Sequence, residues 1–338
     1  MVDVYFGTNR NPRPADDATY FGKNFSSMGL SDLRFGKAKV TNLQIEVATH
    51  REILLPLDGL QQTDHRKSML GSQAWFDGLH QLMCRSGRDT LVFIHGYNTS
   101  FKEALQAAAT LADKLQSAGG GLGVNMVCFS WPSDGTMRPW LDYANDRRDA
   151  AASGAALARA LLKTAHFLRN LPGKQACRQN IHLIAHSMGN YVLRHALQEI
   201  RGQSQGDMPR LFDQICLIAA DEDDDAFEHN HKLKLLPQLG RRVNLYINRN
   251  DRAMTISDMT KGNPDRLGDD GPRMPFQVPG KVTQIDCTPV ARGALEHNYF
   301  VDAARVTADI IYTLDGTDPA LIPGRTFLAD RNRFILSD

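Results

Sequence analysis

The sequence has few cysteines, and none of the close cysteine pairs that hold structural metals or disulfide frameworks. Its five cysteines are an odd number and widely spaced, at positions 84, 128, 177, 216 and 287. Most lie inside apolar runs, where a free cysteine behaves as a small buried hydrophobic residue. We therefore expect buried free thiols, and neither a disulfide framework nor a metal site.

Long apolar runs and an excess of one charge are also missing. No stretch reaches the roughly 18 apolar residues that a membrane span requires. The opening residues, MVDVYFGTNRNP, lack the basic start and apolar stretch of a signal peptide. Lys and Arg number 39 against 38 Asp and Glu, so no basic excess favours nucleic acid. These absences predict a cytoplasmic protein with neither a membrane span nor a nucleic-acid partner, and they leave its oligomeric state open.

The chain does contain a regular alternation of short apolar runs with longer helical patterns. Runs such as DTLVFIHG (89–96) and NIHLIAHS (180–187) are almost continuously apolar, which is typical of strands buried on both faces of a parallel sheet. Ser100 and Glu103 have the spacing of a capping box before a helix, and a weaker helix is expected near 226–236. The pattern predicts an α/β fold with a mostly parallel, doubly wound sheet and helices on both faces.

One domain is the expected count for these 338 residues, because no internal repeat or separating linker is present. We divide it into N-terminal edge strands (1–60), a catalytic core (89–313) and a C-terminal tail (314–338). The short opening strand and the stretch KVTNLQIEVATH are expected to add antiparallel edges. Two long loops, 131–140 and 259–280, would leave the carboxyl edge of the sheet, where ligands bind.

The stretch HLIAHSMGN contains a candidate nucleophile between a strand and a helix. Ala185-x-Ser187-x-Gly189 fits a nucleophile elbow, in which a serine lies on a tight turn above the sheet. The small residues on either side would let the strand and the helix pass close together. A structural turn is the alternative interpretation, because the motif alone does not identify a nucleophile.

Candidate partners for Ser187 follow in the chain order that a Ser–acid–His triad requires. Asp251 ends the run LYINRND, and His297 lies after the last predicted strand, just before the final helix. His297 would be the base and Asp251 the acid that orients it. Asp221, at the end of an earlier strand, is the alternative acid. Taken singly, Asp251 could be a helix N-cap and His297 a residue at a helix start.

The stretch FIHGYN supplies candidate donors for the oxyanion that forms during acyl transfer. We expect the backbone N–H groups of Tyr97 and Met188 to fill this role, with Gly96 letting the backbone turn toward Ser187. His95 is interpreted as a structural hydrogen-bonding residue. The GTNR stretch at 7–10 has no role that can be derived from the sequence.

Taken together, the stretches HGYN, SWPS, AHSMGN, NDRAM and EHNYF resemble the α/β-hydrolase superfamily. With YFGTNR and DYANDRRDA, they resemble more narrowly the bacterial α/β-hydrolase group known as domain of unknown function 900. The resemblance runs from residue 5 to about residue 300. It implies the fold and a Ser187/Asp251/His297 triad, and it implies little about the substrate.

The expected function is a serine hydrolase that cleaves an ester-type acyl bond of a small molecule, as a carboxylesterase or lipase-like enzyme. No cofactor and no metal are expected. A thioesterase, amidase or acyltransferase would use the same residues, since fold and triad do not fix the substrate. A non-catalytic binding protein on the hydrolase fold is the alternative from another class.

Overall fold

The structure is a computed structural model that describes most of the 338 residues. The described ranges are 1–14, 20–26, 29, 32–41, 44–47, 71–118, 120–133, 139–171, 177–203, 208–251, 265–292 and 297–338. Within them the chain forms one sheet of eleven strands and a separate two-stranded sheet.

The helices and strands are as follows. The strands are β1 (Val2–Thr8), β2 (Arg10–Pro12), β3 (Phe21–Phe25), β4 (Arg34–Thr41), β5 (Gln44–Val47), β6 (Thr90–Ile94), β7 (Asn125–Ser130), β8 (Ile181–His186), β9 (Phe212–Ile218), β10 (Gly240–Ile247), β11 (Val282–Asp286), β12 (Arg325–Leu328) and β13 (Arg333–Leu336). The helices are α1 (Gly71–Ser86), α2 (Phe101–Ser117), α3 (Pro139–Arg169), α4 (Gly189–Gln203), α5 (Tyr299–Asp302) and α6 (Ala304–Leu314), with a 3-10 turn at Leu236–Gln238. None of these described helices is both long enough and apolar enough to cross a membrane.

The large sheet is parallel through its middle, as the sequence predicts. Its order is β12-β13-β11-β10-β9-β8-β6-β7-β1-β4-β5, and every pairing from β13 to β1 is parallel. From β6 the chain runs to β7 on one side and then to β8 on the other, so the strand order reverses there. In open α/β sheets, ligands bind beyond the carboxyl ends of the strands at such a reversal.

Each face of the sheet has its own apolar core, so the expected helices on both faces are confirmed. Leu157 of α3 lies in one buried cluster, and Leu105 of α2 and Ile310 of α6 lie in the other. Successive residues of a strand point to opposite faces. Accordingly, Ala185 of β8 belongs to the first cluster and its neighbour Ile184 to the second. The capping box of α2 is confirmed: its Ser100 and Glu103 bonds are both present.

The prediction that the opening strand is an antiparallel edge is wrong. Strand β1 pairs in parallel with β7 and is antiparallel only to β4. Residues 4–8 are all buried, as expected for a strand covered on both faces. The antiparallel edge on this side is formed by β4 and β5.

The helix expected near 226–236 is also wrong. Residues 224–228 and 230–235 form turns, followed by the 3-10 turn. The N–H of Leu233 donates to the carbonyl of Ala226 at 2.8 Å, which closes a loop seven residues wide instead of a helical turn. The Lys232 ammonium bonds back to the Asp223 carboxylate at 2.9 Å. A backbone bond and a side-chain bond of this loop therefore take the place of the regular hydrogen bonds of a helix.

The C-terminal stretch 314–338 is a structured extension of the sheet. Strands β12 and β13 form an antiparallel hairpin, and β13 pairs in parallel with β11. The guanidinium of Arg325 donates to both carboxylate oxygens of Asp309, at 2.6 and 2.7 Å, and both side chains are 0% exposed. A bidentate pair of this kind fixes the hairpin against α6.

The cysteines are free thiols, but they are not all buried. Cys128, Cys216 and Cys287 lie in the core, as expected, whereas Cys177 is half-buried and Cys84 is exposed. The prediction of burial is therefore wrong for Cys84. Helix α1, which carries Cys84, is an element that the sequence analysis does not identify.

Candidate active site

Ser187 lies directly after β8, at the sharp turn into α4. Its φ angle is 53°, in the left-handed region that non-glycine residues rarely adopt and that clusters at functional sites. The Ser187 N–H donates to the carbonyl of Ile218 at 2.9 Å. The side-chain amide of Asn190 bonds to the carbonyls of Ala185 and Ser187, each at 3.0 Å. The surrounding structure therefore holds Ser187 in a strained conformation, and Asn190 is a residue of this turn that the sequence analysis misses.

Two glycines allow the backbone to approach Ser187 closely. A methyl group added at Gly189 would lie 2.6 Å from the carbonyl oxygen of Ile94, so α4 begins directly against the end of β6. A methyl group at Gly96 would lie 2.8 Å from Ser187 Cβ. Gly96 does not have a positive φ, so what it provides is close approach and not a left-handed turn.

His297 and Asp251 form a hydrogen-bonded pair. Nδ1 of His297 lies 2.8 Å from Oδ2 of Asp251. The Asp251 side chain is 0% exposed and that of His297 is 23% exposed. With Nδ1 donating to the carboxylate, Nε2 is the nitrogen left to accept a proton. An acid orients a catalytic base in this way.

The pair lies beside the elbow. The ring centroids of His186 and His297 are 4.7 Å apart, and His186 Nε2–H donates to the backbone carbonyl of His297 at 3.0 Å. Within the part of the chain that the structure describes, no hydrogen bond joins Ser187 Oγ to the His297 ring. Catalytic hydrogen bonds are often long without substrate and tighten in the substrate complex.

His186 is an uncharged neighbour of this pair. Burial, together with the nearby His297, lowers the pKa of His186 to about 3. The ring is therefore neutral near pH 7 and acts as a hydrogen-bond donor to the segment that carries His297. It does not place a second positive charge beside the base.

The two expected oxyanion donors lie on segments that border Ser187. Met188 is 0% exposed, and among the described residues its N–H donates no hydrogen bond. Buried N–H groups without a partner are rare in native proteins, and oxyanion holes use such groups. Tyr97 follows Gly96 in the turn after β6, and its ring packs against that of Tyr143 with centroids 5.7 Å apart.

His95 has the structural role that the sequence suggests. Its Nδ1–H donates to the carbonyl of Gly96 at 2.9 Å, and its Nε2 accepts from the N–H of Trp131 at 3.2 Å. The ring stacks on Trp131 with an interplanar angle of 6°. Burial, with the charge of Arg10, lowers the pKa of His95 to about 3. A neutral His95 therefore joins the loops that follow β6 and β7.

Residues of the GTNR stretch, which begins at the end of β1, also form hydrogen bonds with the loops that follow β6 and β7. Thr8 Oγ1 donates to the carbonyl of Ser130 at 2.6 Å. Arg10 is 0% exposed; it donates to Ser130 Oγ at 2.9 Å and to the carbonyl of Thr99 at 2.6 Å. Arg10 thereby ties the end of β7 to the segment that carries Tyr97. The only sequence signal for this role is a cation two residues after the mostly apolar strand β1.

Asp221, the alternative acid, has other partners. The hydroxyl of Tyr143 donates to Asp221 Oδ2 at 2.6 Å. The guanidinium groups of Arg147 and Arg266 lie 3.8 and 3.9 Å from its carboxylate oxygens. Its backbone N–H donates to the carbonyl of Ser187 at 3.3 Å, so Asp221 does border the elbow.

The described part of the loop 259–280 crosses the carboxyl edge of the sheet. The N–H of Gly268 donates to the carbonyl of Ala220, and the N–H of Asn248 donates to the carbonyl of Gly268, each at 3.0 Å. This part of the loop therefore lies over the ends of β9 and β10, as expected. Residues 259–264 and, in the loop 131–140, residues 134–138 fall outside the described residues.

Known proteins resemble the chain over most of its length. Residues 72–313 match the family described as "Alpha/beta hydrolase of unknown function (DUF900)". Over 134 residues the chain is 29% identical to uncharacterized protein alr1448 of Nostoc sp. (strain PCC 7120); the match covers 34% of this chain and 32% of that protein, about a third of its length. A candidate cell surface hydrolase of Lactobacillus plantarum WCFS1 aligns with a TM-score of 0.33 at 14% identity, over 68% of this chain and 93% of that one. The family match over residues 72–313 confirms the family expected from the motifs.

Proposed function

We propose that this chain, which belongs to the alpha/beta hydrolase family of unknown function, is a serine hydrolase that cleaves an ester-type acyl bond. Ser187 would be the nucleophile, His297 the base and Asp251 the acid that orients His297. The backbone N–H groups of Tyr97 and Met188 would bind the oxyanion. A serine hydroxyl is a poor nucleophile at neutral pH, so each of these groups has a defined task.

The reaction proceeds in two halves. Ser187 Oγ attacks the carbonyl carbon of the ester while His297 Nε2 accepts the hydroxyl proton. The tetrahedral intermediate collapses, His297 gives the proton to the leaving alcohol, and an acyl-enzyme remains on Ser187. Water then attacks the acyl carbon with His297 again as base, which releases the carboxylic acid and restores Ser187.

The single observation that carries this proposal is the hydrogen bond between His297 and the buried Asp251, 2.8 Å long, beside a serine held at φ 53°. A strained serine alone could be a turn, and a buried His–Asp pair alone could be structural. All three residues follow the carboxyl ends of parallel strands, where ligands bind in α/β sheets, and this common edge supports a catalytic role.

A fluorophosphonate probe, which reacts covalently with activated serines, tests the proposal. The wild type should be labelled, Ser187→Ala should not, and His297→Ala should be labelled on the order of 10³-fold or more slowly. Ser86→Ala is a matched control, because Ser86 is exposed at the end of α1. It should be labelled like the wild type.

Two outcomes would refute the proposal. One is a well-folded wild type that the probe does not label, which would favour a binding protein on the hydrolase fold. The other is labelling that persists in Ser187→Ala. If labelling succeeds, a panel of esters, thioesters and amides with added alcohol and amine acceptors then separates ester hydrolysis from thioesterase, amidase and acyltransferase activity.

A further inference from the structure

Three side chains of the kinds that bind metal ions meet at the amino edge of the sheet. His80 and Cys84 are four residues apart on α1, so they lie on one face of the helix, and Cys177 lies just before β8. His80 Nε2 and Cys84 Sγ are 3.5 Å apart. The three donor atoms all lie within 4.8 Å of one another. Among the described residues, this is the one such group of three His, Cys, Asp or Glu side chains.

The spacing of the donor atoms suits a tetrahedral zinc ion. Zinc binds thiolate sulfur at about 2.3 Å and imidazole nitrogen at about 2.0–2.1 Å, which places two such donors roughly 3.5 Å apart in a tetrahedron. The His80–Cys84 distance of 3.5 Å already has this value. The remaining distances, within 4.8 Å, require only about 1 Å of side-chain movement to reach the sulfur–sulfur spacing of such a site.

The surroundings leave room for a fourth ligand. A cavity of about 400 Å³ is lined by His80 and Cys177. The ring of Phe167 packs edge-on against the imidazole of His80, with centroids 6.0 Å apart, and so limits its rotation. Asp213 also borders this cavity, but its carboxylate accepts from Arg241 at 2.9 Å. The fourth position is therefore open to water or a small ligand from the cavity.

We propose that His80, Cys84 and Cys177 form a zinc-binding site whose fourth position opens to the cavity. Two thiolates and one imidazole are a donor set that zinc favours over magnesium or calcium, which prefer oxygen ligands. The two thiolate charges balance those of a divalent cation. The ion joins α1 to the segment that leads into β8.

This site is independent of the proposed hydrolysis. It lies before Ile181, the first residue of β8, whereas Ser187 follows the last. Six strand residues at about 3.3 Å each put the two sites roughly 20 Å apart. The proposed hydrolysis therefore does not require the metal, and the metal should raise the stability of the fold, because it binds only when α1 is in place.

Cobalt(II) is a suitable probe, because its tetrahedral thiolate complexes absorb visible and near-ultraviolet light. The full chain, reduced and stripped of metal, should bind one equivalent of Co²⁺ with sulfur-to-cobalt charge-transfer bands, and Zn²⁺ should displace it. Cys84→Ser and Cys177→Ser should lose these bands. His80→Ala should weaken binding at least about 10-fold, because even the loss of a group that only orients a ligand costs about that much. His166→Ala, which removes an exposed histidine on α3, should bind like the wild type.

A second measurement covers the case in which a cysteine variant fails to fold. In the wild type, Zn²⁺ should protect Cys84 and Cys177 from alkylation, as mass spectrometry of the digested protein reports. The proposal is overturned if the reduced wild type binds no Co²⁺, or if the charge-transfer bands persist in the Cys84→Ser variant and in the Cys177→Ser variant. It is also overturned if Zn²⁺ leaves the alkylation rates of Cys84 and Cys177 unchanged.

Discussion

Asp221 and Asp251 follow neighbouring strands of the same sheet, and their carboxylates have different partners. Each residue is 2% exposed. Asp251 bonds to the imidazole of His297, whereas Asp221 accepts from Tyr143 and faces two guanidinium groups. An imidazole can gain and lose a proton near neutral pH, and a guanidinium cannot. The position of a buried acid at a strand end therefore does not by itself indicate a catalytic role. The residue to which its carboxylate bonds is the more informative feature.

The region around Asp221 is an ionic network that ties helices to a loop. Glu222 is 0% exposed and lies 3.1 Å from Arg194 of α4. Arg147 of α3 stacks on the ring of Tyr191 at 3.7 Å, and Arg266 bonds to Asp223 at 2.7 Å. These contacts join α3, α4 and the loop over β9, so they stabilise the packing of these elements.

Among the substitutions that distinguish the surroundings of Asp251 from those of Asp221, Asp251→Asn should have the largest effect, and this effect is on the labelling rate. The asparagine would hold His297 in the wrong tautomer, so the rate of reaction with the fluorophosphonate probe should fall about 10³–10⁴-fold. Thermal unfolding, measured in parallel, shows that the protein remains folded. A rate within a few-fold of the wild type would remove Asp251 from the proposed mechanism.

Asp221→Asn should have the opposite effects: a large loss of stability and little change in the labelling rate. Removing the charge from a buried ionic network should lower the free energy of unfolding by about 3 kcal/mol, whereas the labelling rate should stay within about 10-fold of the wild type. Urea denaturation and probe kinetics on the same preparation measure both quantities. If instead this variant loses labelling as strongly as Asp251→Asn is expected to, the assignment of the two acids is reversed.

The smallest effect concerns Glu222 and pH. Burial raises the pKa of the Glu222 carboxyl from its ordinary 4.5 to about 6, because the opposing charges of Arg194 and Arg147 offset only part of the desolvation. A raised folded-state pKa gives stability that is fully present below pH 4.5 and is lost as pH rises through about 6. A shift of this size corresponds to about 2 kcal/mol.

Glu222→Gln removes that titration and keeps the side-chain shape. As pH rises from 4.5 through about 6, the wild type should therefore lose about 2 kcal/mol of unfolding free energy relative to the variant. Urea denaturation at several pH values measures the difference. A difference that does not change with pH would show that Glu222 titrates alike in the folded and unfolded chain.

The sequence alone predicts the local features of this protein. Continuous apolar runs indicate the parallel strands, and the strand–serine–helix turn indicates the elbow. Placing β1 in the sheet interior, however, depends on its pairing with β7, more than a hundred residues further along the chain. The same holds for Arg10, whose partner Ser130 is 120 residues away. Contacts of that range leave no periodic pattern, and β12 and β13, at four residues each, are too short to show one.

The interior position of β1 also bears on how the protein can be divided for study. The family match begins at residue 72, and a recombinant fragment cut there would lack β1, β4 and β5. Strand β7 would then present a free edge to solvent, and such an edge pairs readily with other chains. The same cut would remove Arg10 from the loops beside Ser187. We expect the fragment to aggregate, so the smallest workable expression unit includes the N-terminal strands.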